Sequence, residues 1–166
     1  DARIAVLAQV IQSTPGLSYE VITISPSKYN QLYDKFGNLN RLLAWGHATV
    51  IENLLTKRPD CPKAISDQFA NPDVLKRALK ERGKGIELVQ RTKAESDPAV
   101  AAASILARHA FVNWLAKKSE DVQVELLKGV SEQVKENARK LVSERGNSAL
   151  RDCAKMHFRT AAEVLA

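Results

Sequence analysis

Apolar positions recur at helical spacing through most of the chain and alternate with polar ones over only a few short stretches. Residues 1–12 (DARIAVLAQVIQ) put Ile4, Leu7, Ala8 and Ile11 on one helical face, and Pro15-Gly16 ends that pattern. Such a stripe cannot be buried by its own helix, so a preceding element is expected. Residues 19–25 (YEVITIS) alternate Val21 and Thr23 against Ile22 and Ile24 and are rich in β-branched residues, which predicts a strand. Ser25-Pro26 then has the form of an N-cap and first turn, opening a short helix that stops at Gly37. A longer helix is predicted from about Leu39 to Lys57, with Leu39, Leu43, Gly46, Val50 and Leu54 facing inward.

Beyond a polar, proline-bearing loop, residues 64–67 (AISD) read as a short buried strand ending in a carboxylate. Asn71-Pro72 predicts a helix reaching about Arg82, stopped by Gly83 and Gly85, and residues 86–91 (IELVQR) predict the next strand. That strand delivers Glu95. Asp97 and Pro98 fit the N-cap and first turn of a long helix to about Lys118, with Val100, Ser104, Ala107, Phe111 and Trp114 as its inner stripe. Ala99 and Ala101–Ala103 are small enough to let its backbone approach a neighbouring strand. The remainder is predicted helical: Ser131 to Arg145, closed by Gly146, then Ser148 to Leu165. No internal repeat interrupts this order.

Composition changes the picture modestly. With 166 residues, 45% apolar and 27% charged, the chain can bury a core as one globular domain, residues 121–166 forming its C-terminal helical portion. No run approaches the roughly 20 apolar residues of a membrane span, so no membrane partner and a cytoplasmic location are expected. Cys61 and Cys153 lie far apart without CxxC spacing, which predicts reduced, partly buried thiols and neither zinc nor a disulfide. A net charge of +6 favours an anionic partner, nucleic acid foremost, because Lys and Arg displace counterions from phosphates.

Candidate chemistry follows from position. Asp67 ends one predicted strand and Glu95 follows the next. Open α/β sheets collect ligands at the carboxyl ends of their strands, so these two side chains are candidates to converge. Hard oxygen donors without histidine or thiolate favour Mg2+ or Mn2+. Converging carboxylates would hold two such ions roughly 3.5–4 Å apart, one to activate water and one to stabilise a leaving oxygen, although an Asp/Glu pair on strand ends is usually structural. Asp97 competes for the acidic role, but its N-cap position already accounts for it. Lys93 either meets a phosphate or acts as counter-charge to Glu95; Ser104 either faces the same cleft or is a small residue tolerated in a tight helix contact. Arg91, Arg108 and His109 either extend a basic rim or are, as exposed arginines usually are, plain solvated surface. His157 reads as a packed histidine, having no acidic or histidine partner one turn away.

The motifs in this order resemble the type 2 ribonucleases H, and ribonuclease HIII in particular. The resemblance is carried by Lys93-Ala94-Glu95-Ser96 with Val100-Ala101-Ala102-Ala103-Ser104-Ile105, by residues 28–55 (KYNQLYDKFGNLNRLLAWGHATVIENLL), by Ser66-Asp67-Gln68-Phe69 and by Ala154-Lys155-Met156-His157-Phe158. Glutamate at position 95 matches the HIII branch, where the HII branch usually has aspartate. The resemblance implies a ribonuclease H-like α/β fold and metal-dependent cleavage of the RNA strand of RNA–DNA hybrids by four acidic residues. Asp67 and Glu95 match the third and fourth of these. It also implies substrate roles for Asn40 and His47, which stand in an N-L-N…W-G-H pattern, although Trp45 as a gap-filler and His47 as a satisfied side chain is the plainer account.

One departure matters. The family's first two acids form an Asp-Glu pair in a Gly-rich strand, and no such run occurs here; Gly83-Lys84-Gly85 lacks the acids. The small N-terminal substrate-binding domain typical of HIII is expected to lie outside these residues too. The chain is thus expected to be the C-terminal part of a catalytic domain, with about three strands of an incomplete mixed sheet and a helix-rich second half. It is expected to be inactive alone and monomeric when intact, needing the absent strands to complete its site. A non-catalytic nucleic-acid-binding module and a helical partner-binding scaffold are the alternatives.

Overall fold

The computed structural model describes residues 2–166 and divides into two compact units. The first comprises residues up to Ile22 and Asn38–Ala110; the second comprises Thr23–Gly37 and Phe111–Ala166.

In the first unit the elements run α1 (Ala2–Ser13), α3 (Leu39–Lys57), β1 (Lys63–Asp67), α4 (Pro72–Ala78), β2 (Glu87–Arg91) and the start of α5 (Pro98–Val122). Local chemistry sets the helix starts. Asn38 Oδ1 accepts from the backbone N–H groups of Asn40 (2.8 Å) and Arg41 (3.2 Å) at the head of α3. Asn71 does the same for Asp73 ahead of Pro72. Asp97 Oδ1 accepts from Ala99 N–H at 2.9 Å, so the acid at the start of α5 is a cap.

The strands β1 and β2 pair in parallel, Lys63 opposite Glu87 through to Asp67 opposite Arg91. Ala44 and Ala48 of α3 pack against Leu75 and Leu79, with Phe69, Val74 and Leu88 around them. This corrects the expected face of α3. Its buried residues are Leu42, Ala44, Ala48, Glu52 and Leu55, while Leu39, Leu43, Gly46, Val50 and Leu54 are half-buried. Two alanines let α4 approach closely, a contact that a count of large side chains does not detect.

Glu52 explains a second correction. The helix from Pro72 ends at Ala78, not near Arg82. The buried Glu52 carboxylate takes the N–H groups of Lys80 (2.8 Å), Arg82 (3.3 Å) and Gly83 (2.8 Å), drawing the chain out of the helix and into a 3-10 turn at Gly83–Gly85.

The sheet has two strands among the described residues, not three. Tyr19–Ser25 forms no ladder. Its start is tied down by side chains instead: Lys57 Nζ donates to the Tyr19 carbonyl (3.0 Å) and to Glu20 Oε2 (2.7 Å), and Asn53 Nδ2 donates to Glu20 Oε1 (3.0 Å). β-Prone residues make a strand only where another strand takes their backbone groups.

The second unit holds α2 (Pro26–Phe36), the remainder of α5, α6 (Glu132–Arg145), α7 (Asn147–Arg151) and α8 (Arg159–Leu165). Ser25 caps α2, and Gly37, in the left-handed region at φ 60°, ends it. Val122, Val124 and Leu141 form its core, with Leu126, Ala149 and Cys153 alongside. The helix expected over Ser148–Leu165 is two short ones. Buried Asn30 accounts for the break: its Nδ2 donates to the carbonyls of Arg151 and Ala154, both at 3.0 Å, and its Oδ1 accepts from Met156 N–H at 2.9 Å. Those backbone groups are withdrawn from a continuous helix. His157 is packed, as expected, with its ring centroid 4.0 Å from that of Tyr33 and 4.1 Å from that of Phe158.

The face of α5 also differs from expectation. Within the first unit Leu106 is its buried residue, Val100 is half-buried, and Ser104 and Ala107 are exposed; within the second, Phe111 is exposed and Trp114 half-buried. By length and composition α5 is apolar enough to cross a membrane, contrary to the reading that no stretch comes near it. Its best window has a mean hydropathy of 1.3, with 6% of it buried. One such helix is weak evidence for a span. Alanines raise the average, and Arg108 within the helix would cost about 2.5–3.5 kcal/mol at a bilayer centre. Both cysteines are free, Cys61 exposed and Cys153 partly buried.

Candidate active site

The carboxyl end of the parallel pair is where chemistry-bearing residues collect. Asp67 is the last residue of β1, and the ladder continues one step further, with Gln68 N–H donating to the Arg91 carbonyl at 3.0 Å. After Arg91 the chain turns through Thr92 and Lys93 into a 3-10 turn over Ala94–Ser96. Ala94 is fully buried, and its N–H donates to Asp67 Oδ1 at 3.1 Å. Asp67 is thereby hydrogen-bonded to the residue immediately before Glu95. Two carboxylates separated by 28 positions, 95 − 67, sit at one end of the sheet because parallel pairing puts both strand ends there.

Both carboxylates are exposed. Among the described residues the Ala94 N–H is the sole hydrogen-bond partner of the Asp67 side chain, leaving Oδ2 unengaged, and the Glu95 carboxylate has no hydrogen bond or ion pair. The donor set is hard oxygen without thiolate, suited to Mg2+ or Mn2+ and not to zinc. It is also short. No group of three or more Asp, Glu, His or Cys side chains able to hold a metal occurs among the described residues. Two carboxylates would fit part of a divalent site, whose remaining ligands would have to come from water or other protein groups.

Lys93 is not the counter-charge of Glu95. Among the described residues its ammonium makes no ion pair or side-chain hydrogen bond. Its backbone is in the left-handed region, φ 55° and ψ 36°. For a residue with a β-carbon that costs about 1 kcal/mol.

The other candidates are placed less closely. His47 contacts the neighbouring strand residue, its Nδ1 lying 3.4 Å from Ser66 Oγ and its ring 4.9 Å from that of Phe69. Side chains alternate along a strand, so Ser66 and Asp67 leave β1 on opposite faces. His47 therefore belongs to the α3 side of β1. Although part of the residue remains at the surface, packing against its ring removes solvent and holds the pKa below the ordinary histidine value. Asn40 is exposed one position into α3, two turns before His47 on the same helical face. Ser104 and Arg108, one turn apart on α5, are both exposed. Among the described residues no hydrogen bond or ion pair ties Asn40, Ser104 or Arg108 to the carboxylates. Ser66 entered the sequence reading only within the Ser66-Asp67-Gln68-Phe69 motif, with no role of its own, and the Ala94 N–H escaped it, since backbone donors carry no residue signature.

Comparison with known proteins defines the class. The Ribonuclease HII profile matches residues 1–161, and the chain belongs to that family. Within it the resemblance is to ribonuclease HIII. The Chlamydia trachomatis serovar L2 (strain 434/Bu) and Chlamydia pneumoniae proteins named Ribonuclease HIII are each 47% identical over 99% of this chain. The chain spans about half the length of these relatives, 55% in both cases. The crystal structure of Bst-RNase HIII in complex with Mn2+ superposes with a TM-score of 0.82 at 26% identity, covering 99% of this chain and 59% of that one. A crystal structure of a single-residue mutant of the same Bst protein gives 0.87 at 29% identity, covering 99% and 55%. These neighbours bear out the ribonuclease H-like α/β fold.

Proposed function

We propose that this chain supplies half of the metal-binding centre of a ribonuclease H that hydrolyses the RNA strand of RNA–DNA hybrids. The observation that carries the reading is the Asp67–Ala94 hydrogen bond, which brings two exposed carboxylates to the carboxyl end of β1 and β2. Asp67 and Glu95 hold the divalent cation, Mg2+ or Mn2+; the Mn2+ complex of the Bst relative supports that choice. Such an ion, when bound, lowers the pKa of a coordinated water and offsets charge developing on the phosphate.

The protein's own part is to fix geometry. The Ala94 N–H orients Asp67, and the short turn holds Glu95 beside it. Lys93 and Arg91 put positive charge at the same sheet end, and Ser104, Arg108, Asn40 and His47 are candidates for contacts along the duplex. Additional strands bearing two further acids complete the site. The short donor set, the two-stranded parallel sheet and the half-length match to relatives support this, since parallel sheets are ordinarily larger and covered on both faces. Alone, this chain binds hybrid weakly and does not turn it over. The completed protein acts as a cytoplasmic monomer.

The test is a chimera joining the N-terminal half of the Chlamydia trachomatis relative to this chain, assayed on a hybrid with Mg2+ or Mn2+. Asp67→Asn and Glu95→Gln should each lower cleavage at least about 100-fold while leaving hybrid binding within a few-fold. A binding module, favoured by the incomplete donor set, would give a chimera that binds with a steep salt dependence and never cleaves. A scaffold would show no salt-dependent affinity for the hybrid.

A further inference from the structure

Two non-glycine residues among those described have positive φ, Lys93 (55°) and Gln123 (56°). Gln123 directly follows the last residue of α5, where a left-handed residue is a common helix stop. Lys93 has no such explanation. It lies between a strand and a 3-10 turn, at a position where the backbone favours glycine or asparagine. Among the described residues no hydrogen bond or ion pair engages its side chain. The ammonium is exposed, pairs with neither Glu95 nor Asp67, and covers no core residue. The lysine therefore adds nothing visible to the folded state and strains it.

We propose that Lys93 grips a backbone phosphate of the nucleic acid strand held at Asp67 and Glu95, and that this contact is obtained at the expense of folding stability. The inference rests on the hybrid-cleaving reading of the site. Its logic is positional. The left-handed turn is what drops Ala94 N–H onto Asp67 and sets Glu95 one residue later, so a side chain at position 93 leaves the backbone beside both carboxylates. A cation there would meet a phosphate held at those carboxylates, and it makes no ion pair with the carboxylates themselves. Lysine, a compact point charge on a flexible stem, suits a phosphate oxygen and makes no bidentate demand.

The two halves of the proposal predict opposite signs, which separates them from a purely structural role. In the 166-residue chain, Lys93→Gly and Lys93→Asn should raise the Tm measured without nucleic acid. In the same variants, affinity for a fluorescent RNA–DNA hybrid should fall about threefold to tenfold. The slope of log K against log salt should become shallower by about one. Lys93→Arg should keep the affinity within about twofold. Lys84→Ala is the control. It alters the 3-10 turn preceding β2, at the far end of that strand, and should leave the salt slope unchanged. A Lys93→Gly variant with a Tm that does not rise, or with the parent's affinity and salt slope, overturns the proposal while leaving the function reading standing. A parent chain with no salt-dependent hybrid affinity sinks both, and the Lys84 control losing the same slope overturns this one alone.

Discussion

The backbone N–H of Ala94 donates to Asp67 Oδ1 at 3.1 Å, joining the end of one strand to the turn that follows the next. On the proposed function Asp67 has two separable jobs, the observed one of an acceptor that shapes the turn and the proposed one of a charge that holds a cation. Asn at this position keeps the acceptor and removes the charge. Asp67→Asn should leave the urea midpoint nearly unchanged and abolish Mn2+ binding measured by calorimetry in the completed enzyme. Asp67→Ala should abolish binding as well and cost about 1 kcal/mol of stability. Equal stability loss in the two variants would mean that charge, not the hydrogen bond, holds the turn.

Glu52 is the buried acceptor that organises a loop of the first unit. It receives three backbone N–H groups, and a β-carbon on Gly83 would come within 2.7 Å of both Glu52 Oε1 and Leu79 Cδ2. Glu52→Ala strands those donors and should destabilise by about 2–4 kcal/mol. Gly83→Ala should cost about 1–3 kcal/mol by crowding the same spot. Chemical denaturation of each variant checks both figures, and a neutral Gly83→Ala would show that the loop shifts freely.

Asn30 plays the corresponding part in the second unit, holding residues 151–156 by three hydrogen bonds. Asn30→Leu should cost about 2–3 kcal/mol, because two carbonyls and one N–H lose their partner in a half-buried loop. Hydrogen exchange at Met156 should accelerate selectively. Uniform protection across α7 and α8 in the variant would show that the loop is held by other contacts.

Two histidines make stability depend on pH. His157 has both ring nitrogens buried without partners, and burial, followed by the nearby Lys155 charge, holds its pKa below the ordinary value. For His47 burial alone has the same direction. A depressed folded pKa means the unfolded chain binds protons first as pH falls. Their contribution is thus fully present above the unfolded value of about 6.5 and is lost on descending through the lower folded values. The Tm should drop between about pH 7 and 5, and His157→Phe, which keeps the stack on Tyr33, should flatten that drop. A profile unchanged by the substitution would assign the pH dependence elsewhere.

Local features could be read straight from the order of residues. Ser25, Asn71, Asp97 and Ser131 mark helix starts, and Gly37 and Gly146 mark ends, because caps and left-handed stops are satisfied within one turn of chain. The order of motifs was equally legible and was enough to place the family. Whatever depended on a distant partner became visible only in three dimensions. Which face of α3 is buried follows from α4 settling on Ala44 and Ala48. The breaks after Ala78 and after Arg151 follow from Glu52 and Asn30, residues 28 and 121 positions removed from the atoms they bind. Tyr19–Ser25 has the composition of a strand and lacks the ladder that would make it one. The meeting of Asp67 with the Glu95 turn belongs to this second kind as well: each carboxylate could be picked out from its place at or after a strand, but only parallel pairing of those strands brings both to the same end of the sheet.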